Sequence, residues 1–199
     1  DYYRHDFNVE PLIFWRGHDA PDRQGVTEIK YVCGFLAYYD ELLRRHPGML
    51  IDNCASGGRR NDIETLRRSV PLLRSDTWGE PVGQQCQSYG LANWIPFWGT
   101  GIVHSDPKQL AYMFRSQMGP SFTCCWDLTA KADYDLHRRL LEQWRSVRTI
   151  IFRGDYYPLT PYSAAPGDWM AWQYQWPEGP TGLIQAFRRA PSGAPAKTL

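Results

Sequence analysis

The chain has 199 residues, of which 43% are hydrophobic and 22% are charged, and its formal net charge is +1. This composition supports a globular core, and the near-zero charge argues against a protein that binds nucleic acid or an acidic membrane surface. No apolar run approaches the roughly 18 residues that a membrane-spanning helix needs. The five cysteines include no CxxC pair, so they predict neither a disulfide framework nor a zinc site.

The first fifty residues predict a strand, a loop and a helix. A short strand is expected over Asp1–Asn8, and a polar loop over Pro11–Gly25, which holds two prolines and two glycines. Apolar residues recur at helical spacing through Thr27–Arg45, and Pro47–Gly48 is a typical stop. Because the chain opens inside a strand, we expect the natural N-terminus, with any signal peptide, to lie before it.

The next hundred residues continue this alternation. A second strand is predicted over Met49–Cys54, followed by a Gly57–Gly58 turn. Further elements are a short helix near Asp62–Ser69, strands over Pro71–Asp76, Trp94–Trp98 and Phe122–Trp126, and an amphipathic helix over Asp135–Thr149. Strands that alternate with helices or long loops predict an α/β fold with a parallel sheet.

After Gly154 the pattern changes. Prolines and a glycine mark a linker, and two antiparallel strands are predicted over Trp169–Gln175 and Leu183–Arg189. These strands read as the start of a separate β domain. Aromatic residues make up 15% of the chain, and such rings often stack on the apolar face of a sugar, although most of them are expected to fill a core.

Acidic and polar clusters follow three of the predicted strands: Arg4–Asn8, Asp52–Gly58 and Arg74–Asp76. In parallel α/β folds, functional side chains gather at the carboxyl ends of strands. Glycoside hydrolysis needs two carboxylates that flank the scissile bond, and neighbouring strand ends can supply them. Taken singly, each acid is more often a helix cap or a surface residue than a catalytic group, so the spacing alone leaves the function open.

The order and intervals of these clusters resemble the glycoside hydrolase family 36 α-galactosidases, or melibiases. The resemblance runs from about Asp1 to Leu159, and its most specific block is Cys54–Gly58, which reads Cys-Ala-Ser-Gly-Gly. In that family a nucleophilic aspartate follows a Lys-Trp dipeptide, and this chain has Arg4-His5 before Asp6. The aspartate of the family's Ser-Asp pair is the acid/base, and here it is Asp76.

The resemblance also implies residues that contact the sugar: Arg4, Asn8, Cys54, Gly57 and Trp78. Arg4 replaces the family's lysine and should share the strand face of Asp6. Asn8 is either a turn residue or a ligand to a sugar hydroxyl, and Cys54 is either a core thiol or a substrate contact. Gly57 either forms a turn or lets the backbone approach the sugar ring.

The fold implied by the resemblance is the second half of a (β/α)8 barrel, strands four to eight, over residues 1–157, followed by a linker and the first strands of a β-sandwich over residues 158–199. The implied function is that of a retaining, exo-acting α-galactosidase, which needs no metal or cofactor because two carboxylates complete the cycle. Its expected partner is a galactose-containing oligosaccharide or glycoside, with no nucleic acid and no membrane. The oligomeric state of the full-length enzyme and its compartment, cytoplasm or periplasm, stay open.

Three alternatives remain beside this interpretation. Two are enzymes that also resemble the family: an α-N-acetylgalactosaminidase, which would have a wider pocket around Cys54–Gly58, and a transglycosylase of the raffinose-synthase kind. The third is a carbohydrate-binding barrel without catalysis, which would have lost one of the two carboxylates. Asp6 and Asp76 are both present.

Overall fold

The structure is a computed structural model that describes residues 1–77, 79–95, 97–102, 107–125, 129, 133–193 and 195–198. It divides into two units, Asp1–Asp76 and Thr77–Leu199. Both units combine helices with short strands, so the predicted α/β class is confirmed in this coarse sense. All five cysteines lie among the described residues, and these residues contain no disulfide.

The first unit is built on a parallel pair of strands. Strand β1 (Tyr2–Asp6) pairs with β2 (Leu50–Cys54), and the register places Arg4 opposite Asp52 and Asp6 opposite Cys54. Helix α2 (Val26–Arg45) connects the two strands, as a parallel pair requires, and a short helix α3 (Ile63–Leu66) follows β2. The strands predicted over Asp1–Asn8 and Met49–Cys54 and the long helix predicted over Thr27–Arg45 are therefore confirmed.

The two faces of β1 have different surroundings, because side chains alternate along a strand. Tyr3 and His5 point towards the aromatic side chains of α2, where the imidazole Nδ1 of His5 lies 2.9 Å from the hydroxyl of Tyr39. Arg4 and Asp6 lie on the opposite face. The aromatic face holds the strand on its helix and leaves the charged face for the site.

The polar loop predicted over Pro11–Gly25 is wrong in part. This segment contains helix α1 (Leu12–His18) and a single 3₁₀ turn (Pro21–Arg23). The prolines precede or open these short helices, where a missing N–H costs nothing, so they do not break them. Asp19 then accepts hydrogen bonds from the backbone N–H groups of Gly25 and Thr27, which helps to start α2.

The strand predicted over Pro71–Asp76 is also wrong. The structure has only an isolated parallel bridge between Asp52 and Val70, and the residues after it form bends. The backbone N–H of Leu72 explains the difference, because it donates to the carboxylate Oδ1 of Asp52, 2.9 Å away. A side chain takes the place of the carbonyl that a strand ladder would supply, so the ladder ends after one bridge.

The second unit begins with alternating helices and strands. Helix α4 (Pro81–Leu91) precedes β3 (Gly99–Ile102), and α5 (Pro107–Gln117) connects β3 to its parallel partner β4 (Ser121–Cys124). Helix α6 (Tyr134–Arg153) follows and confirms the predicted amphipathic helix. The sequence pattern predicted neither α5 nor α4, whose two glycines and N-terminal proline are typical of a loop.

The predicted strand over Trp94–Trp98 is wrong, since the strand of this region starts at Gly99. Residues Ala92–Trp94 instead form a turn after α4. Strand β3 contains two glycines among its four residues, a composition that propensities disfavour, but all four are buried. Burial between neighbouring elements therefore overrides the local preference. The strand predicted over Phe122–Trp126 is confirmed as β4, and Trp126 lies outside the described residues.

The chain ends in an antiparallel sheet. Strands β5 (Asp155–Pro158), β6 (Met170–Gln175) and β7 (Gly182–Phe187) pair in that order, which confirms the predicted antiparallel pair and adds a strand before it. The hydrophobic core of the second unit lies where β6, β7, α5 and α6 meet, and its buried members include Phe114, Leu140 and Trp172. No helix among the described residues is long and apolar enough to cross a lipid bilayer.

We expect Gly119→Ala to destabilise the second unit. Trp98 is buried, and a Cβ added at Gly119 would overlap its six-membered ring. Overpacking of this kind costs about 1–3 kcal/mol, which thermal unfolding of the full-length protein should detect. Gly90→Ala is the matched control, because its Cβ would meet open space within a helix and should be neutral or stabilising by up to about 1 kcal/mol. Equal unfolding midpoints for the two variants would contradict the packing of Trp98 on Gly119.

Candidate active site

The site is built around the carboxyl end of β1. The guanidinium Nη2 of Arg4 donates to the carboxylate Oδ2 of Asp6 across 3.1 Å, and the two side chains are 30% and 38% exposed. The expectation that Arg4 shares the strand face of Asp6 is met. Asp6 is therefore an accessible carboxylate that a neighbouring cation holds in place, as a reacting group requires.

Asp52 fixes the other end of Arg4. The Nη1 of Arg4 donates to Oδ2 of Asp52, which is fully buried, and the hydroxyl of Tyr2 donates to the same oxygen across 2.9 Å. Burial works to lower the pKa of Arg4, but the hydrogen bond and charge of Asp52 outweigh it, so the pKa is raised. Arg4 stays charged and bridges a buried and an exposed carboxylate.

The Cys54–Gly58 block forms a tight turn directly after β2. Ser56 and Gly57 both have positive φ angles, of 50° and 77°, and the backbone N–H of Ala55 donates to the carbonyl of Gly57. The amide oxygen of Asn8 accepts a hydrogen bond of 2.6 Å from the backbone N–H of Ser56. Asn8 thus connects the end of β1 to this turn.

The Cys54 thiol lies beside Asp6 and is almost fully buried. Burial raises its pKa most, while the backbone of Gly57 and the charge of Arg4 act to lower it. The thiol therefore stays protonated near neutral pH, where it is a poor nucleophile. It can donate a weak hydrogen bond to the neighbouring carboxylate or to a ligand.

The two glycines of the turn allow the Arg74–Asp76 segment to approach closely. A Cβ added at Gly57 would lie 2.7 Å from the backbone nitrogen of Asp76, and one added at Gly58 would overlap the carbonyl of Arg74. The missing side chains are thus needed for contact with the protein's own backbone. Gly57 places Asp76 beside the turn that follows Cys54, and the side chain of Asp76 is exposed there.

The first unit brings together all but one of the predicted site residues. Arg4, Asp6 and Cys54 lie on one face of the β1–β2 pair. Asn8 accepts a hydrogen bond from the turn that contains Gly57, and the backbone of Asp76 lies against Gly57. The remaining one, Trp78, lies outside the described residues.

The sequence pattern assigned no site role to Tyr2, and for Asp52 it predicted only a buried support on the strand face of Cys54. The signal was present in the sequence, because Tyr2 lies two residues before Arg4 and Asp52 two residues before Cys54, and period-two spacing places them on the same faces. Among the described residues, no group of three or more His, Cys, Asp or Glu side chains is arranged to hold a metal ion.

His5 lies next to Asp6 in the chain but points to the other side of the strand. Its ring packs against Phe7 and the aromatic side chains of α2, with ring centroids 5.0 to 6.2 Å apart. Burial lowers its pKa, and the nearby charge of Arg60 lowers it further. The imidazole therefore packs β1 against α2 on the face opposite Asp6.

Comparison with known proteins finds that the chain is similar to a segment of several α-galactosidases. No family model matches the chain. Over its whole length, the chain is 23% identical to α-galactosidase 1 of Pediococcus pentosaceus and covers 28% of that protein. A match of the same extent, also at 23% identity, is found with an α-galactosidase of Geobacillus stearothermophilus.

Solved structures agree with these matches. The α-galactosidase of Lactobacillus brevis superposes with a TM-score of 0.79 at 18% identity, and the match covers 94% of this chain and 26% of that one. A glycoside hydrolase family 36 α-galactosidase variant of Geobacillus stearothermophilus, in complex with raffinose, superposes with a TM-score of 0.75 at 22% identity. This match covers 94% of this chain and 27% of that one. The chain has the fold of the matching segment of these enzymes.

The resemblance to the glycoside hydrolase family 36 α-galactosidases is therefore confirmed. The chain spans little more than a quarter of the length of the relatives that it matches end to end. The comparison thus concerns one segment of such an enzyme.

We expect Gly57→Ala to destabilise the first unit more than Gly48→Ala does. Both glycines have positive φ angles, 77° and 88°, so each substitution carries the strain of a left-handed backbone, about 1–2 kcal/mol. Only at Gly57 would the new Cβ also meet the backbone of Ser75 and Asp76, which adds about 1–3 kcal/mol. Thermal unfolding of the two full-length variants measures the difference, and equal losses would rule out the close approach.

Proposed function

We propose that this chain is part of a retaining α-galactosidase of glycoside hydrolase family 36. The single observation that carries the proposal is the accessible carboxylate of Asp6 at the end of a parallel strand, held by Arg4 and flanked by the Cys54 turn. The similarity to named α-galactosidases supports the same conclusion. The finer architecture, barrel strands four to eight over residues 1–157 and the first sandwich strands over residues 158–199, belongs to this proposal.

In the first step, a carboxylate oxygen of Asp6 attacks the anomeric carbon of the galactoside. The glycosidic C–O bond breaks while the carboxylic acid of Asp76 donates its proton to the leaving oxygen, and a covalent galactosyl-enzyme forms. The hydrogen bond from Arg4 supports this role, because it orients Asp6 without burying it.

In the second step, the Asp76 carboxylate takes a proton from water, whose oxygen attacks the anomeric carbon and releases galactose and Asp6. Each displacement inverts the configuration of the anomeric carbon, so two of them give net retention. Such a mechanism needs the two carboxyl groups roughly 5–5.5 Å apart across one cavity. The contact of Gly57 with the backbone of Asp76 supports a shared cavity, since Cys54 lies beside Asp6 only three residues before Gly57.

The proposed substrates are oligosaccharides and glycosides that end in an α-linked galactose. Related family 36 α-galactosidases have been solved in complex with raffinose and with stachyose. Arg4, Asn8, Cys54, Gly57 and Trp78 are the proposed sugar contacts, with Asp6 and Asp76 at the reacting bond.

We expect Asp6→Gly in the full-length protein to abolish turnover of a nitrophenyl α-galactoside, and external azide to restore it. The small anion fills the place of the lost carboxylate and attacks from the same side, so the product should be the β-galactosyl azide. Asp76→Gly is the matched variant, and there azide should give the α-azide. The reverse pair of products would exchange the two assignments.

We expect the isolated 199 residues to lack turnover that the full-length protein shows. In the first unit, β1 pairs only with β2 among the described residues, and apolar side chains such as Ile13, Phe14 and Ile29 are more than half exposed. A parallel strand pair normally has both faces covered, so this unit should stay loosely packed alone. Near-ultraviolet circular dichroism and the galactoside assay test this, and cooperative melting with turnover would contradict the proposed barrel register.

A further inference from the structure

We infer that Asp52 is a positioning residue for the reaction: its buried carboxylate sets the direction in which Arg4 donates to Asp6. This inference rests on the proposed function. Asp52 is fully buried and no described hydrogen bond joins it to Asp6, so it would act through the guanidinium of Arg4.

The two oxygens of Asp52 have different partners. Oδ2 accepts from Arg4 and from the hydroxyl of Tyr2, both on β1, whereas Oδ1 accepts from the backbone N–H of Leu72. Asp52 itself lies on β2 and is fully buried. One carboxylate therefore connects β1 and β2 to the segment that leads to Asp76.

The planarity of the guanidinium turns this anchor into a constraint on Asp6. Nη1 and Nη2 of Arg4 lie in one rigid plane, so once Nη1 is held by Asp52, the direction in which Nη2 donates to Asp6 is set as well. Without the anchor, the half-exposed side chain of Arg4 could rotate towards solvent. A loss of even about 1 Å in the placement of a reacting group can cost on the order of 100-fold in rate.

A simpler view is that Asp52 only holds the fold together through Leu72. The division of partners between the two oxygens allows this view to be tested. Asp52→Asn can keep a carbonyl oxygen for the N–H of Leu72, while its amide group would face the Nη1 of Arg4, donor against donor. The substitution should therefore disturb Arg4 and preserve the backbone contact.

The experiment is a double-mutant cycle in the full-length protein with nitrophenyl α-galactoside as substrate. We expect Asp52→Asn to lower kcat/KM by about 10- to 100-fold when Arg4 is present, and by less than about 2-fold when Arg4 is replaced by Met. A purely structural role would lower kcat/KM by the same factor in both backgrounds and would overturn the inference. Thermal midpoints of all four proteins show whether each is folded.

Asp40→Asn is the matched control. Asp40 also forms a two-pronged ion pair with an arginine, Arg68, at 2.6 and 2.9 Å, but no described hydrogen bond connects this pair to Asp6. The control should leave kcat/KM within about 2-fold of the parent, as is usual for an exposed ion pair. A loss as large as that of Asp52→Asn would mean that any broken ion pair reduces activity, which also overturns the inference.

Tyr2→Phe covers the case in which Asp52→Asn does not fold. Tyr2 is exposed, so the change removes one donor to Oδ2 of Asp52 with little risk to folding. A fall of about 2- to 5-fold in kcat/KM that vanishes in the Arg4→Met background supports the inference, and an equal effect or none in both backgrounds contradicts it. If the parent protein itself does not hydrolyse the galactoside, the proposed function fails, whatever the cycle would show.

Discussion

A carboxylate without access to water is costly unless donors satisfy it, and Asp52 meets that requirement with three donors from two other segments. This carboxylate accepts hydrogen bonds from the side chains of Tyr2 and Arg4 and from the backbone of Leu72. The strand pair and the chain that leads to Asp76 are therefore fixed together by a single buried charge. Removing any of these partners leaves part of that charge unpaired, so the arrangement is strongly specified.

The glycine doublet supplies the second constraint, and it acts through sterics where Asp52 acts through charge. Because Gly57 and Gly58 have no Cβ, the backbone of Arg74–Asp76 can occupy the space that a side chain would fill. The hydrogen bond to Leu72 sets where this segment starts, and the glycines set how close it passes to the turn after Cys54. Together they explain why the segment stops being a strand after Val70 and continues as bends towards an exposed carboxylate.

The elements that the sequence predicted well are those whose signal is local. Strands β1 and β2 and helices α2 and α6 each carry a clear period or a clear stop, and the motif residues of the site follow from the strand ends. The failures occur where a distant contact decides the outcome. Leu72 leaves the ladder because of a carboxylate twenty residues earlier, and the glycine-rich β3 is a strand because its surroundings bury it. The role of Gly57 was likewise hidden, since its partner backbone is not adjacent in sequence.

Arginine at position 4, where the resembling family has lysine, is consistent with this geometry. An ammonium group is a compact charge whose donors rotate freely, whereas a guanidinium presents donors in a fixed plane. Here the two terminal nitrogens serve two different carboxylates, one buried on the neighbouring strand and one exposed at the strand end. The planar guanidinium therefore relates the orientation of Asp6 to the position of the buried Asp52, whereas an ammonium group would leave that orientation less constrained. The departure from the family motif therefore keeps the cation beside the proposed nucleophile and makes its orientation depend on Asp52.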